Sequence, residues 1–305
     1  MNEEFMEKNF ESKKLNVEIK RPMVQFISDI VYDQVSNFSS SNVALKMDLL
    51  VPHSREEKPA VVFITGGGFL AANKDNYIQQ RLDLAEAGYL VASIEYGVAP
   101  QVTFPQPLLD LKSAIRFLKV HADKFNINPD KIGVMGDSAG GYLAAFAGTT
   151  NGIKEFEKGV NLEVNSNVQA VVDIYGLSDL SKIGSDYTEE IQKIHMSAGA
   201  PEALLVNGVP GFGGQDGGIL ADKEKVEAAN PISYISSQTP PFLLMHGSND
   251  SLVSPSQTEI LHQALIEKGV DSTRYIVEGA EHGGDHWQQQ EIMDIIITFF
   301  DKYLK

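Results

Sequence analysis

Cysteine is absent from the 305 residues, and long apolar runs and basic charge are scarce. Without cysteine, disulfides, thiolate catalysis and sulfur-ligated metals are excluded. No run approaches the roughly 18 apolar residues that span a bilayer, and the acidic start of the chain does not resemble a secretion signal. Acidic residues outnumber basic ones by 41 to 25, and the net charge of −16 repels phosphate backbones and anionic membranes. We therefore expect a soluble, cytoplasmic protein without nucleic-acid or membrane partners.

Strand-like and helix-like patterns alternate from residue 43 onward. The predicted strands are 43–51, 60–64, 89–94, 131–135, 170–175, 241–245 and 273–277, and the predicted helices are 107–125, 141–147, 256–268 and 288–303. Alternation at this spacing implies right-handed crossovers and a mostly parallel sheet. The prediction is a single α/β domain, 1–305, with about eight strands flanked by helices.

Two segments depart from this rhythm. Residues 1–40 are polar around short alternating runs, which indicates edge strands or a flap. Residues 181–232 are rich in glycine and interrupt the alternation. Long insertions in compact folds often carry function, so 181–232 is interpreted as a cap or lid, with a plain surface elaboration as the alternative.

The motif Gly136-Asp137-Ser138-Ala139-Gly140 lies where an apolar strand runs into a helix of small residues. This context is typical of a nucleophile elbow, in which a sharp turn projects the serine hydroxyl into a cleft. Glycines on both sides relieve the crowding of such a turn. Ser138 is therefore the predicted nucleophile.

The general base is sought among the histidines that follow the acid, because an elbow serine is followed along the chain by an acid and then a histidine. His262, His282 and His286 meet this condition, whereas the other four histidines precede or adjoin the candidate acid. His262 falls inside a predicted helix, where a structural role fits better. His282 lies in a short loop after a predicted strand and is the preferred base, with His286 as its rival.

The acid should lie in the loop after the preceding strand. Asp250 follows the run Phe242–Gly247 and would orient the imidazole and stabilise its cation. Asp271 precedes a strand and Asp285 follows the histidine, so both violate the expected order.

The run Thr65-Gly66-Gly67-Gly68-Phe69 follows the first buried strand. Glycines leave backbone amides unobstructed, and the amides of Gly67, Gly68 and Ala139 would hold a tetrahedral oxyanion. A flexible turn or a phosphate loop are the alternatives. The phosphate loop is disfavoured because no lysine completes a Walker pattern and no GxGxxG motif is present.

These motifs together resemble the α/β-hydrolase superfamily, specifically the hormone-sensitive-lipase-like carboxylesterases and the similar feruloyl and acetyl esterases of bacteria. The resemblance covers residues 43–305 and includes the glycine loop, the elbow, and the segments around Asp250 and His282. It implies two-step acyl transfer through an acyl-enzyme, without metal or cofactor, and is consistent with a homodimer. The implied substrate is a small-molecule or sugar-linked ester.

Three positions depart from the family pattern. The family usually carries histidine where Thr65 stands, arginine where Gly97 stands and glycine where Glu281 stands. The first two leave the anchoring of the oxyanion loop unexplained. Glu281 could raise the basicity of the neighbouring histidine or face solvent, and the solvent interpretation is preferred.

Aromatic residues near the predicted site suggest the acyl group. Phe69, Phe212 and Trp287 would offer apolar faces to an aromatic acid such as ferulate, although core packing explains each equally well. The first hypothesis is an esterase of hydroxycinnamoyl or other small acyl esters, and the nearest alternative is an acetyl or short-chain alkyl esterase. A catalytically silent relative that binds ligands is the alternative of another class. A peptidase is disfavoured because no propeller-like extension is present.

Overall fold

The computed structural model describes residues 12–305, so the expectations for residues 1–11 lie outside the described residues. In this range the chain forms eight strands: Val24–Val35 (β1), Val43–Pro52 (β2), Lys58–Ile64 (β3), Leu90–Ile94 (β4), Ile127–Asp137 (β5), Ala170–Ile174 (β6), Phe242–Gly247 (β7) and Ser272–Val277 (β8). They build one sheet in the order β1-β2-β4-β3-β5-β6-β7-β8. The contacts of β2 with β1 and β4 are antiparallel and the remaining contacts are parallel, which confirms the predicted fold class.

Helices cover both faces of the sheet. They are Ile78–Glu86 (α1), Gln106–Val120 (α2), Ala122–Phe125 (α3), Ala139–Thr149 (α4), Glu189–His195 (α5), Pro201–Asn207 (α6), Lys223–Ala228 (α7), Ser256–Glu267 (α8) and Gln290–Leu304 (α9). One hydrophobic cluster packs α2, α4 and α8 against one face, and a second packs α1 and α9 against the other. No helix in the described range is long and apolar enough to cross a membrane.

The centre of the sheet explains why the elbow is rigid. Every residue of β3 is buried, as expected for a parallel strand covered on both faces. All 11 residues of α4 are also buried, because its small side chains let it lie close to the sheet. Burial of each larger apolar side chain here stabilises the fold by about 1.5–3 kcal/mol. The turn from β5 to α4 is thereby held between two well-packed elements.

The first described strand lies at the edge of the sheet. The two short alternating runs seen in the sequence belong to one strand, β1, whose register against β2 shifts between Ile27 and Ile30 and again between Val31 and Asp33. Asp29 has a φ of 56°, a left-handed conformation that accommodates the irregularity. The irregular register explains why the sequence pattern appeared broken.

The glycine-rich insert 181–232 joins β6 to β7. It contains α5, α6 and α7 together with short 3-10 turns, and it has no strand in the sheet. Because parallel strands end at the same edge of a sheet, the insert leaves from the edge at which Ser138 lies.

Candidate active site

Ser138 lies in a strained turn between β5 and α4. Its φ and ψ are 52° and −120°, a conformation that a non-glycine residue rarely adopts, and its amide donates to the Ile174 carbonyl at 2.9 Å. A Cβ atom on Gly136 would lie 2.3 Å from the backbone of Gly140, and one on Gly140 would lie 2.0 Å from the Ile64 carbonyl oxygen. Only glycine fits at both positions, as the sequence motif suggested.

His282 connects the serine to the acid. Its Nε2 atom lies 2.9 Å from Ser138 Oγ, and its Nδ1 atom lies 2.7 Å from Asp250 Oδ2. The imidazole packs against the ring of Tyr175 at a centroid distance of 4.7 Å, and the side chain is 15% exposed. The structure therefore brings the three predicted residues into one hydrogen-bonded series, with access to the histidine from a cavity.

Asp250 is held by four donors. Its Oδ1 atom accepts the backbone amides of Leu252 and Val253, each at 2.9 Å, and its Oδ2 atom lies 3.2 Å from His246 Nε2 as well as close to His282. Burial alone would raise the pKa of Asp250, but the hydrogen bonds from the two histidines outweigh it and hold the pKa well below its usual range. The carboxylate therefore stays ionised at neutral pH and can orient the imidazole.

His246 is a site residue that the sequence reasoning missed. It is completely buried at the end of β7, with Nε2 2.9 Å from the Val253 carbonyl and Nδ1 3.1 Å from Thr258 Oγ1. It was rejected as a base because it precedes the acid. Its position four residues before Asp250, at the end of a buried strand, is the signal that would have identified it as a residue that positions the acid.

The amides of the glycine loop differ in their partners. The Gly66 amide donates to Asp137 Oδ1 at 2.8 Å, whereas the amides of Gly67 and Gly68 donate to no protein acceptor in the described part of the chain. Gly68 has a φ of 59°, which favours glycine. Ala139 is the first residue of α4, where helix geometry leaves the amide without an intrahelical acceptor. The three amides predicted for the oxyanion hole are therefore free to donate to a ligand.

Asp137 anchors this loop to the elbow. Its carboxylate is 6% exposed and accepts the Tyr77 hydroxyl on Oδ2 at 3.0 Å, in addition to the Gly66 amide. Burial raises the pKa of Asp137 from its ordinary value. Burial and the adjacent Asp137 charge raise the pKa of Tyr77 to about 12, so the hydroxyl remains a donor at neutral pH.

The three departures from the family pattern are also explained by local contacts. The Thr65 carbonyl accepts the Tyr96 hydroxyl at 2.7 Å, and the Gly97 amide donates to Asp110 Oδ2 at 2.7 Å. The backbone at both positions is thus held without the side chains that the family usually carries. The Glu281 side chain is exposed, in agreement with the preferred interpretation that it faces solvent.

A cavity of about 430 Å³ opens over Ser138 and His282. Its walls combine the glycine loop with apolar side chains and with residues of the insert: Gly66, Gly67, Gly68, Phe69, Tyr77, Asp137, Ala139, Leu177, Ile183, His195, Pro201, Glu202, Leu252 and Val253. The insert therefore forms part of the wall. Within residues 12–305, no group of three or more histidine, aspartate and glutamate side chains is arranged to hold a metal ion.

Two of the three aromatic residues predicted to contact substrate lie elsewhere. Phe69 lines the cavity, but Phe212 is 76% exposed and faces Phe38 across a separate groove. Trp287 is completely buried behind the histidine loop, where it packs on Tyr175 at 4.7 Å and does not line the cavity. The expectation that Phe212 and Trp287 face the acyl group is wrong. Phe212 lies in the glycine-rich part of the insert with its side chain exposed, and Trp287 packs into the hydrophobic core.

The alternative bases and acids considered from the sequence are not part of the hydrogen-bonded series of Ser138, His282 and Asp250. His262 Nδ1 lies 2.8 Å from Ser272 Oγ, and His286 is exposed. Asp271 and Asp285 are also exposed. None of these four side chains hydrogen-bonds to Ser138 or His282 in the described range.

Comparison with known proteins identifies the family of the chain. Residues 47–265 match the BD-FAE family model. LipM of Mycobacterium tuberculosis, described as a probable carboxylic ester hydrolase, is 30% identical over 201 residues, which are 65% of this chain and 43% of LipM. The chain thus spans about half the length of the curated relatives that it matches.

Two solved structures are similar over most of the chain. A truncated carbohydrate esterase from gut microbiota superposes with a TM-score of 0.77 and 27% identity, covering 91% of this chain and 95% of its own. An acetyl ester-xyloside bifunctional hydrolase from Caldicellulosiruptor lactoaceticus gives a TM-score of 0.67 and 26% identity, covering 84% and 88%.

Proposed function

The chain belongs to the BD-FAE family of α/β-hydrolases, and we propose that it hydrolyses carboxylic esters with Ser138 as the nucleophile. The observation that carries the proposal is the unbroken series from Ser138 to His282 at 2.9 Å and from His282 to Asp250 at 2.7 Å. The descriptions of LipM and of both similar structures as ester hydrolases support the reaction type.

In the first half of the reaction, Ser138 Oγ attacks the carbonyl carbon of the ester while His282 Nε2 takes its proton. The electron pair of the carbonyl moves onto oxygen, and the amides of Gly67, Gly68 and Ala139 stabilise the oxyanion. Loss of one such donor costs about 3 kcal/mol of barrier in other enzymes. Collapse of the intermediate breaks the bond to the alcohol oxygen, which takes the proton from His282 and leaves.

In the second half, water replaces the alcohol. His282 takes a proton from the water, whose oxygen attacks the acyl carbon and forms a second oxyanion in the same place. The bond to Ser138 Oγ then breaks, the proton returns to the serine, and the carboxylic acid leaves. Asp250 remains ionised throughout and stabilises the imidazolium ion.

For the acyl half, we favour acetyl and other short acyl groups. Two aromatic residues expected to bind a larger acid lie outside the cavity, and one of the similar structures is that of an acetyl ester-xyloside bifunctional hydrolase. A hydroxycinnamoyl ester remains the second candidate, because the cavity of about 430 Å³ has an apolar wall with Phe69, Leu177 and Leu252.

A catalytically silent binding module is disfavoured by the same geometry. Such a protein has no need for a serine held at a strained φ of 52° against a histidine at 2.9 Å. The strain costs folding free energy of about 1–3 kcal/mol, and catalysis is the function that uses it.

The experiment is a comparison of the protein with its Ser138→Ala variant on p-nitrophenyl acetate and methyl ferulate, together with mass measurement after treatment with an organophosphonate. We expect hydrolysis and a covalent adduct that are both lost in Ser138→Ala, with a melting temperature close to that of the original protein. Turnover retained by the alanine variant would overturn the proposal. For the acyl group the matched pair is methyl acetate and methyl ferulate, which share the alcohol. A preference of at least about tenfold in kcat/KM between these two esters, or about 1.4 kcal/mol of transition-state binding, decides between the acyl groups.

A further inference from the structure

The cavity over Ser138 contains a polar pair that catalysis does not use. His195 is the last residue of α5 and Glu202 is the second residue of α6, and His195 Nδ1 lies 2.8 Å from Glu202 Oε1. Both line the cavity together with Ser138 and His282. Neither hydrogen-bonds to a member of the catalytic series.

The pair is enclosed but incompletely satisfied. Glu202 is 3% exposed, and the His195 side chain is 17% exposed. In the described part of the chain, Glu202 Oε2 and His195 Nε2 have no hydrogen-bond partner, although neither atom is sealed away from solvent. Both atoms are therefore open to the cavity and can accept hydrogen bonds from a molecule that enters it. A ligand in the cavity would supply the missing donor.

The chemistry of the pair defines that ligand. When neutral His195 donates from Nδ1 to Glu202, its Nε2 atom is an acceptor, and Glu202 Oε2 is a second acceptor. Two acceptors side by side match hydroxyl groups of the ligand. The negative charge of Glu202 disfavours an acidic group at this place.

The other residues that line the cavity include hydrogen-bond donors beside Ser138 and apolar side chains. The free amides of Gly67 and Gly68 are donors suited to the ester carbonyl, whereas Leu177 and Leu252 offer only apolar contact. The Asp137 carboxylate, which also lines the cavity, already accepts the Gly66 amide and the Tyr77 hydroxyl, whereas Glu202 and His195 of the insert each keep an acceptor without a partner. An acetyl group has no hydroxyl, so for the favoured acetyl ester the hydroxyl groups belong to the alcohol half.

We propose that Glu202 and His195 bind free hydroxyl groups of a carbohydrate alcohol, and that they direct the enzyme toward partly acylated sugars over esters of plain alcohols. This inference rests on the proposed esterase function. The interaction is made by the insert 181–232, which thereby determines specificity while the sheet provides the catalytic groups.

The experiment compares two acetate esters that form the same acetyl-enzyme. One is p-nitrophenyl acetate, which has no hydroxyl, and the other is methyl β-D-xylopyranoside carrying a single acetyl group. Since kcat/KM covers the steps up to acylation, the ratio of the two values contains the different reactivity of the two leaving groups. That factor cancels when the ratio is compared between variants, so a change in the ratio reports how the alcohol half is bound.

Glu202→Gln keeps the size of the side chain and removes its charge. We expect the ratio of kcat/KM, xyloside over p-nitrophenyl acetate, to fall at least about tenfold, mainly through a higher KM for the xyloside. His195→Gln should lower the same ratio and serves as the second variant if Glu202→Gln folds poorly. Glu190→Gln makes the same acid-to-amide change at an exposed position of α5 and should leave the ratio unchanged.

The other outcomes are distinguishable. Equal losses on both esters would identify the pair as a structural clamp between α5 and α6 and overturn the inference, as would an unchanged ratio. Hydrolysis of p-nitrophenyl acetate without hydrolysis of the xyloside would overturn the inference and leave the esterase proposal standing. No hydrolysis of either ester, nor of methyl ferulate, would overturn both.

Discussion

The backbone amide of Gly66 donates a hydrogen bond to the carboxylate of Asp137 at 2.8 Å, across 71 residues of chain. Asp137 directly precedes the nucleophile Ser138, so this bond joins the oxyanion loop to the elbow. The two parts that must meet at one reacting carbonyl are thereby held at a constant separation.

Asp137→Asn tests this link. The amide removes the charge and turns one acceptor into a donor, so the Gly66 bond becomes a weaker neutral one or is lost, and the Tyr77 bond must reverse its direction or break. Hydrogen bonds to charged groups contribute about 1.5–3 kcal/mol, and we expect kcat for p-nitrophenyl acetate to fall about 10- to 100-fold with little change in KM. Tyr77→Phe removes one donor only and should lose less. Equal kinetics of Asp137→Asn and the original protein would show that the bond does not position the loop.

His246→Phe tests the support of the acid. The phenyl ring occupies similar space but cannot donate to Asp250 or to the Val253 carbonyl. We expect kcat to fall about tenfold, because a misoriented carboxylate holds the His282 imidazole less well. His262→Phe is the matched control: it also removes a histidine hydrogen bond, to Ser272, but His262 does not bond to the acid. Loss of activity in the control alone would contradict the assignment.

Asp173 gives the folded protein a pH-dependent stability. It is completely buried, Oδ1 accepts the Gly176 amide at 2.8 Å, and Oδ2 has no partner among the described residues. Burial raises the pKa of Asp173 from 3.8 to about 7. Its contribution to stability is therefore complete below about pH 4 and decreases as the pH rises to about 7, because over that range the unfolded chain releases a proton that the folded chain retains.

We expect the free energy of unfolding of the original protein to fall relative to that of Asp173→Asn by on the order of 4 kcal/mol between about pH 4 and pH 7. Asparagine carries no titrating proton, so the stability of the variant relative to the original protein should increase as the pH rises from about 4 to about 7. Urea unfolding at several pH values measures the difference. Parallel pH curves for the two proteins would show that Asp173 does not titrate in this range.

Gly140→Ala tests the close contact behind the elbow. The added methyl group would lie 2.0 Å from the Ile64 carbonyl oxygen, so α4 must move away from β3. We expect a loss of more than about 2 kcal/mol of unfolding free energy and a loss of activity. Gly199→Ala adds the same methyl group where nothing lies within 4 Å and should be tolerated in urea unfolding. A stable and active Gly140→Ala protein would disprove the need for glycine there.

Phe212→Ala tests the correction of the substrate contacts. The side chain is 76% exposed in a groove other than the cavity over Ser138. We therefore expect unchanged kcat/KM for both methyl ferulate and p-nitrophenyl acetate. A selective loss on methyl ferulate would show that the acid reaches Phe212 and would restore the earlier expectation.

Most secondary structure was predictable because it depends on local patterns. The apolar run 60–64 and the small-residue helix after Ser138 occur as β3 and α4. Helix α1 was not predicted, since its buried face includes the polar side chains of Gln80 and Arg81. Gln80 donates to the distant Trp287 carbonyl and Arg81 donates to the Asp75 carbonyl, contacts that have no signature in local hydrophobicity.

The amino-acid sequence by itself determined the parallel α/β sheet, the elbow, and the order of Ser138, Asp250 and His282, because strand-end loops at one edge of such a sheet must converge. Only the tertiary structure decided which side chains of the insert and the loops line the cavity over Ser138. It turned Phe212 outward and Trp287 inward, and it brought Glu202 and His195 into the cavity wall. The direction of a side chain in an irregular segment depends on contacts with residues far away in the chain, and no local periodicity encodes them.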